Sequence, residues 1–157
     1  MGFTLPEDCK CTKLYHGAAN AVDCDIISLK NAHKAWIQIV HSGSSDTDLV
    51  LTLNEATDVA GGTSAAITTA CPIWVDADMG TTSDTLVRGT DTYAYTIDTG
   101  VAPNQMVFWE IYPTIFSDGY DCLKITDSGG NASNTVLIQV FTDPRQKQDA
   151  PLTNITD

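Results

Sequence analysis

Lys34-Ala-Trp-Ile-Gln-Ile-Val40 and Leu49-Val-Leu-Thr-Leu-Asn54 decide the fold class. In the first stretch Ala35, Ile37 and Ile39 alternate with Lys34, Trp36 and Gln38; in the second Leu49, Leu51 and Leu53 alternate with Val50, Thr52 and Asn54. A side-chain period of two belongs to a strand with one face turned to a core. Between them His41-Ser-Gly-Ser-Ser-Asp-Thr-Asp48 is a run of residues that bond their own backbone or tolerate tight turns. Strand, turn, strand is the local unit.

The same reading extends outward. Tyr93, Tyr95 and Ile97 alternate with Ala94, Thr96 and Asp98. Met106–Ile111 and Val136–Phe141 are largely apolar at both alternating sets of positions, as in central strands or strands covered by a partner. Val22–Leu29, Ile73–Asp76 and Asp121–Thr126 complete the set, with a weaker strand at Lys13–His16. Gly61-Gly-Thr-Ser64, Asp78–Asp84, Asp98-Thr-Gly100 and Asp127-Ser-Gly-Gly130 supply turns. No stretch has the period of a three-turn amphipathic helix; Pro113–Asp118 fits a single helical turn ended by Gly119. The expectation is an all-β, single-domain antiparallel sandwich or jelly-roll-like barrel with extended termini. Residues 1–12 form an N-terminal arm, 13–142 the β domain, and 143–157, with two prolines and little periodicity, a C-terminal arm.

Charge narrows the partners. The chain has 157 residues and a formal net charge of −12. Residues 41–121 hold twelve acids against one base, Arg88, while residues 1–40 balance four acids with four lysines. A polyanion or an anionic bilayer surface repels such a chain, so neither nucleic acid nor membrane is expected as a partner. Residues 1–20 contain no apolar stretch of signal-peptide length, and the other apolar runs are too short to span a bilayer. With five cysteines (Cys9, Cys11, Cys24, Cys71, Cys122), an odd number, reduced thiols are expected and the sequons at Asn131 and Asn154 carry no weight.

Candidate chemistry is sparse. Asp127-Ser128-Gly129-Gly130 with His33 upstream has the flavour of a serine-protease nucleophile loop, but Thr126 stands where a glycine is expected, and a Gly-Gly turn between strands explains the residues as well. Cys9, Cys11, His16 and Cys24 are soft ligands within sixteen residues, in a spacing unlike common zinc sites; small reduced hydrophobes are the favoured reading. Asp46, Asp48, Asp76, Asp78 and Asp84 lack the EF-hand pattern and read as a solvated acidic rim. Trp36, Trp74 and Trp109 invite a sugar-binding reading, although Trp74 and Trp109 lie in apolar segments suited to a core or a protein interface. No catalytic, cofactor or metal residue is assigned, and no enzyme activity is expected.

Several segments taken together, Lys34–Gly43, Leu49–Asp58, Asp91–Asp98, Gly119-Tyr-Asp-Cys-Leu123 and Asp127–Asn134, resemble small virion proteins encoded among the head genes of tailed bacteriophages, the capsid auxiliary, decoration or cement proteins. The resemblance covers residues 30–157. It implies a β domain seated on a shell of major capsid protein, in the virion, with that protein and copies of itself as partners and no cofactor. The alternative is a sugar- or receptor-binding β module of a phage fibre, and a hydrolase using His33 or His41 is a further alternative. Lys10, Lys13, Lys30, Arg145 and Lys147 cluster toward the two ends, so the ends are expected to dock and the loops of residues 41–48 and 76–91 to face solvent.

Overall fold

The computed structural model describes residues 5–44, 47–80, 83–145 and residue 155. One helical turn, α1 (Leu5–Asp8), precedes eleven strands: β1 (Lys10–Ala18), β2 (Ile27–Ser28), β3 (Ala32–Ser42), β4 (Leu49–Ala56), β5 (Ser64–Ala66), β6 (Ile73–Asp76), β7 (Val87–Arg88), β8 (Ala94–Ile97), β9 (Gln105–Ile111), β10 (Cys122–Gly129) and β11 (Thr135–Pro144). A single 3-10 turn spans Pro113–Ile115, within the stretch expected to make one helical turn. None of the described helices is long and apolar enough to cross a membrane.

The strands form two antiparallel sheets stacked as a sandwich, and neither closes into a barrel. The larger runs β1-β11-β3-β9-β6-β7; the smaller runs β2-β10-β4-β5, with β8 also paired to β4. Two of the central ladders are long: Thr135–Pro144 against Ala32–Ser42, and Cys122–Gly129 against Leu49–Ala56. β11, made last, lies between β1 and β3, so Lys10 faces Thr142 across the sheet.

The core is built from one set of alternating positions on each sheet. Ala35, Ile37 and Ile39 of β3, Val107, Trp109 and Ile111 of β9, and Val136, Ile138 and Val140 of β11 are all fully buried. They meet Leu49, Leu51 and Leu53 of β4 and Leu123 and Ile125 of β10. Each such aliphatic side chain contributes about 1.5–3 kcal/mol on leaving water. Trp109 satisfies its indole N–H on the Thr92 carbonyl at 3.0 Å, so its burial leaves no orphan donor.

Three expectations are corrected. Of Val22–Leu29 only Ile27–Ser28 is strand, because residues 22–26 run as irregular chain whose Val22 and Asp25 amides bond to the Asp127 side chain and the Leu14 carbonyl instead of a strand ladder. The sheet begins before residue 13: Lys10, Cys11 and Thr12 pair with β11, and Asp143 and Pro144 belong to β11 rather than to an arm. Asp76 is not part of a solvated rim; it is 1% exposed and accepts a hydrogen bond from the Asp78 amide. Residues 146–154, 156 and 157 of the expected C-terminal arm, residues 1–4 of the expected N-terminal arm, and Asp46 lie outside the described residues.

Candidate docking face

Because side chains alternate along a strand, burying one set of positions in the six-stranded sheet turns the other set outward. The register puts that outward set into three rows. Cys11, Phe141, Trp36 and Glu110 share the first; Lys13, Gln139, Gln38, Phe108, Trp74 and Arg88 the second; His16, Leu137, Val40 and Met106 the third, with Asp76, itself 1% exposed, at its end. The large apolar members, Trp36, Trp74, Phe108, Phe141, Leu137, Val40 and Met106, are each only half-buried. α1 leans over one corner of this face, where Leu5, Cys9, Trp36, Gln38, Phe108 and Phe141 line an open apolar trough of about 450 Å³.

Polar bonds hold the aromatic rings in place. Trp36 donates its indole N–H to Glu110 Oε2 at 3.1 Å, and the Tyr112 hydroxyl donates to Glu110 Oε1 at 2.5 Å. Lys34 pairs with Glu110 Oε1 at 3.2 Å while its Nζ stands 5.1 Å from the Trp36 ring centre and 4.7 Å from that of Tyr112. Burial alone would raise the Glu110 carboxyl, but the bonds from Tyr112, Lys34 and Trp36 outweigh it and hold the group below its ordinary range. The Lys34 ammonium is raised, first by its hydrogen bond with Tyr112 and then, against some desolvation, by Glu110. Across the sheet Arg88 covers Trp74 at 4.8 Å and pairs with Asp91. Gln139 donates to Gln38, whose own amide reaches Met106 Sδ at 3.4 Å.

The opposite face of the molecule is unlike this one. There Val50, Thr52 and Asn54 of β4 stand beside Ser128, Thr126 and Lys124 of β10 and Thr96 and Ala94 of β8. Asn54 donates to Thr126 Oγ1 at 2.8 Å. Apart from Val50 and Ala94 these side chains are polar, and they offer a partner little apolar area.

Sheet edges are poor docking sites as well. β2 and β7 have two residues each and β5 three. The long edge strand β1 is bulged between Lys13 and Tyr15, and its Leu14 carbonyl is taken by the Asp25 amide at 3.2 Å. Bulges, lysines and short strands are how proteins keep edges from recruiting other chains.

The other candidates read from the sequence, so far as they are described, separate in space. Cys9 precedes β1 and is buried, Cys11 is exposed on β1, His16 is exposed and Cys24 is buried, so the shared face that a strand would give Cys9 and Cys11 does not form. Burial, reinforced by the carboxylates of Asp127, Asp23 and Asp25, pushes the Cys24 thiol up to about 12. Burial beside Asp91 pushes Cys71 up to about 11. Among the described residues no group of three or more His, Cys, Asp or Glu side chains is placed to hold a metal ion. Asp48 is engaged by Thr99, whose amide it receives at 3.0 Å, and Asp78 and Asp84 sit apart from it on the 76–84 loop.

His33 lies exposed on β3 and Ser128 on β10, in different sheets; His41 is fully buried, with Nδ1 2.6 Å from the Pro103 carbonyl. Asp127-Ser-Gly-Gly130 is the end of β10 and its turn: Asp127 accepts from the Val22 amide, and Gly129 and Gly130 have φ of 81° and 77°. Sequence reading found the apolar segments Met106–Ile111 and Val136–Phe141 but missed that Trp36 and Trp74 share their outer face. The signal was present in the alternation, since Trp36 falls in the set opposite to Ala35 and Ile37.

No protein-family model matches the sequence, and no curated protein does. Among solved structures, the SPBc2 prophage-derived protein YomS is similar to this chain with a TM-score of 0.48 and 10% sequence identity, over 86% of this chain and 93% of that one.

Proposed function

We propose that this chain is a virion structural protein that decorates or cements a tailed-phage capsid, binding the major capsid protein and copies of itself. The observation that carries the reading is the outer face of the six-stranded sheet: seven large apolar side chains, Trp36, Trp74, Phe108, Phe141, Leu137, Val40 and Met106, on a ladder whose edge strands are bulged (β1) or two residues long (β7). Contiguous apolar surface on a sheet that needs no further core is the mark of a protein interface. The segments that resemble head-gene virion proteins point to the same class, and the acidic remainder of the surface keeps the chain in solution until it docks.

The fibre-module alternative asks the tryptophans to stack on sugar rings. Lys34 lies over Trp36 and Arg88 over Trp74, placing cations on ring faces that a sugar would use, which supports the structural reading over that alternative.

The test is mass spectrometry of gradient-purified particles from cells producing the phage that encodes the chain, with the wild type and with Phe108→Lys. Wild-type protein is expected in the particle fraction at a fixed ratio to major capsid protein, and the variant is expected to stay in the soluble pool. Absence of wild-type protein from the particles would overturn the proposal.

A further inference from the structure

We infer that the outer face of the six-stranded sheet is the surface by which two copies of this chain meet, face to face about a two-fold axis. The inference deepens the assembly reading above by assigning the self-contact to named residues, and it rests on charge and area.

The chain as a whole carries 20 acids and 8 bases, so most pairings of two copies repel. The outer face departs from that ratio: Lys13, Lys34 and Arg88 stand against Glu110, Asp143, the buried Asp76 and, from the loop after β7, Asp91, three bases to four acids. A two-fold contact lays a surface on itself, so it needs both signs in balance on one patch. Charges of both signs flank the aromatic rows here, with Lys34 beside Glu110 at one end and Arg88 at the far edge. The Thr- and Ser-rich face of the other sheet has Lys124 alone among its central positions and no large apolar side chain to bury.

The area suffices. Five strands, β1, β11, β3, β9 and β6, at about 4.8 Å spacing span about 24 Å, and the seven residues of β9 at about 3.3 Å span about 23 Å. Because β6 has only four residues, two such patches cover roughly 1,000 Å² before their relief is counted, the area that a specific contact needs. Two sheet faces of this kind pack at about 10 Å, as the two layers of a sandwich do.

Sedimentation equilibrium of the full chain tests this. Wild type is expected to dimerise reversibly at about 0.1 mM, and Phe108→Lys to raise the dissociation constant at least a hundredfold, which is about 2.7 kcal/mol. Gln38→Glu, a polar change at the centre of the second row, is expected to do the same and serves if Phe108→Lys does not fold. Thr96→Lys, exposed on β8 of the other sheet, is expected to leave the constant unchanged. Fluorescently tagged Phe108→Lys is expected to enter wild-type dimers about tenfold more weakly than wild type, because a two-fold contact carries the substitution twice in the variant's own dimer and once in the mixed one. A monomeric wild type at that concentration, dimers indifferent to both face variants, or tagged Phe108→Lys entering wild-type dimers as strongly as wild type does, would each overturn the inference. Incorporation of a strictly monomeric protein into particles would overturn this inference and leave the proposed function standing; a dimer absent from particles would do the reverse.

Discussion

Trp36 and Glu110 face each other across β3 and β9 and are joined by an indole N–H bond of 3.1 Å to a carboxylate that also holds Lys34 and Tyr112. One acid thus fixes the orientation of two aromatic rings and a base on the outer face of the larger sheet.

The pH dependence of that cluster follows from the two shifts. Glu110 is held below its ordinary value of 4.5, so its contribution is complete above that value and is lost as pH falls through the lower folded value. Lys34 is held above 10.5, so its contribution is complete below that value and is lost as pH rises through the higher folded value. Glu110→Gln is expected to cost on the order of 1 kcal/mol at neutral pH. Thermal unfolding of both proteins should show the gap closing once the pH falls below 4.5. A gap that stayed constant through strongly acidic solution would show that the carboxylate charge is not what matters.

Glu55, unlike Glu110, is buried, and it has one clear task. It is 3% exposed and accepts the Ser117 amide at 2.7 Å, tying the chain after the 3-10 turn to β4. Glu55→Ala is expected to destabilise the fold by about 2–3 kcal/mol, the range for a buried bond to a charged group. Hydrogen exchange should show the Ser117 amide losing protection before the β4–β10 ladder does. Equal loss of protection in both would mean that Glu55 supports the whole sandwich.

Gly130 and Gly119 both have positive φ, 77° and 85°, but differ in surroundings. A Cβ on Gly119 meets nothing, whereas one on Gly130 runs into the Ala19 carbonyl. Gly119→Ala is expected to cost about 1 kcal/mol of backbone strain alone. Gly130→Ala should cost clearly more, because β10's turn and the exit from β1 must separate. Chemical denaturation midpoints that rank the two the other way would show that the turn at residue 130 relaxes freely.

Thiol reactivity separates the five cysteines. Cys11 is exposed and the other four are buried, with Cys24 and Cys71 pushed up to about 12 and about 11. One thiol per chain is expected to react promptly with a disulfide reagent at about pH 8, and all five in denaturant without reductant. Two missing thiols in the denatured count would reveal a disulfide.

The alternation of Lys34–Val40 and Leu49–Asn54 made the two central strands legible, since each inward set is apolar and the turn between them is rich in Gly, Ser and Asp. β5 and β7 were not, because two or three residues are too few to show a period and their strand form comes from pairing with β4 and β6. Asp76 misled for a related reason: its position in a run of acids suggested solvent, while the end of β6, which carries it, leaves it 1% exposed. The docking face was half legible. Doubly apolar Met106–Ile111 and Val136–Phe141 announced that β9 and β11 have two apolar faces. The register that brings Trp36 and Trp74 into neighbouring rows of one face is set by pairings between strands far apart in sequence, which a local pattern does not encode.

The place of β11 between β1 and β3 has a consequence for how the protein is made. On the ribosome, β1 and β3 emerge with no partner to bridge them until Thr135–Pro144 has been synthesised, and the larger sheet has a gap until then. The β3 edge that pairs with β11 therefore stays open until Thr135–Pro144 has been made, and closure of the larger sheet waits for that strand to clear the exit tunnel. A chain truncated anywhere before residue 135 lacks the strand that joins β1 to β3 and cannot complete its larger sheet.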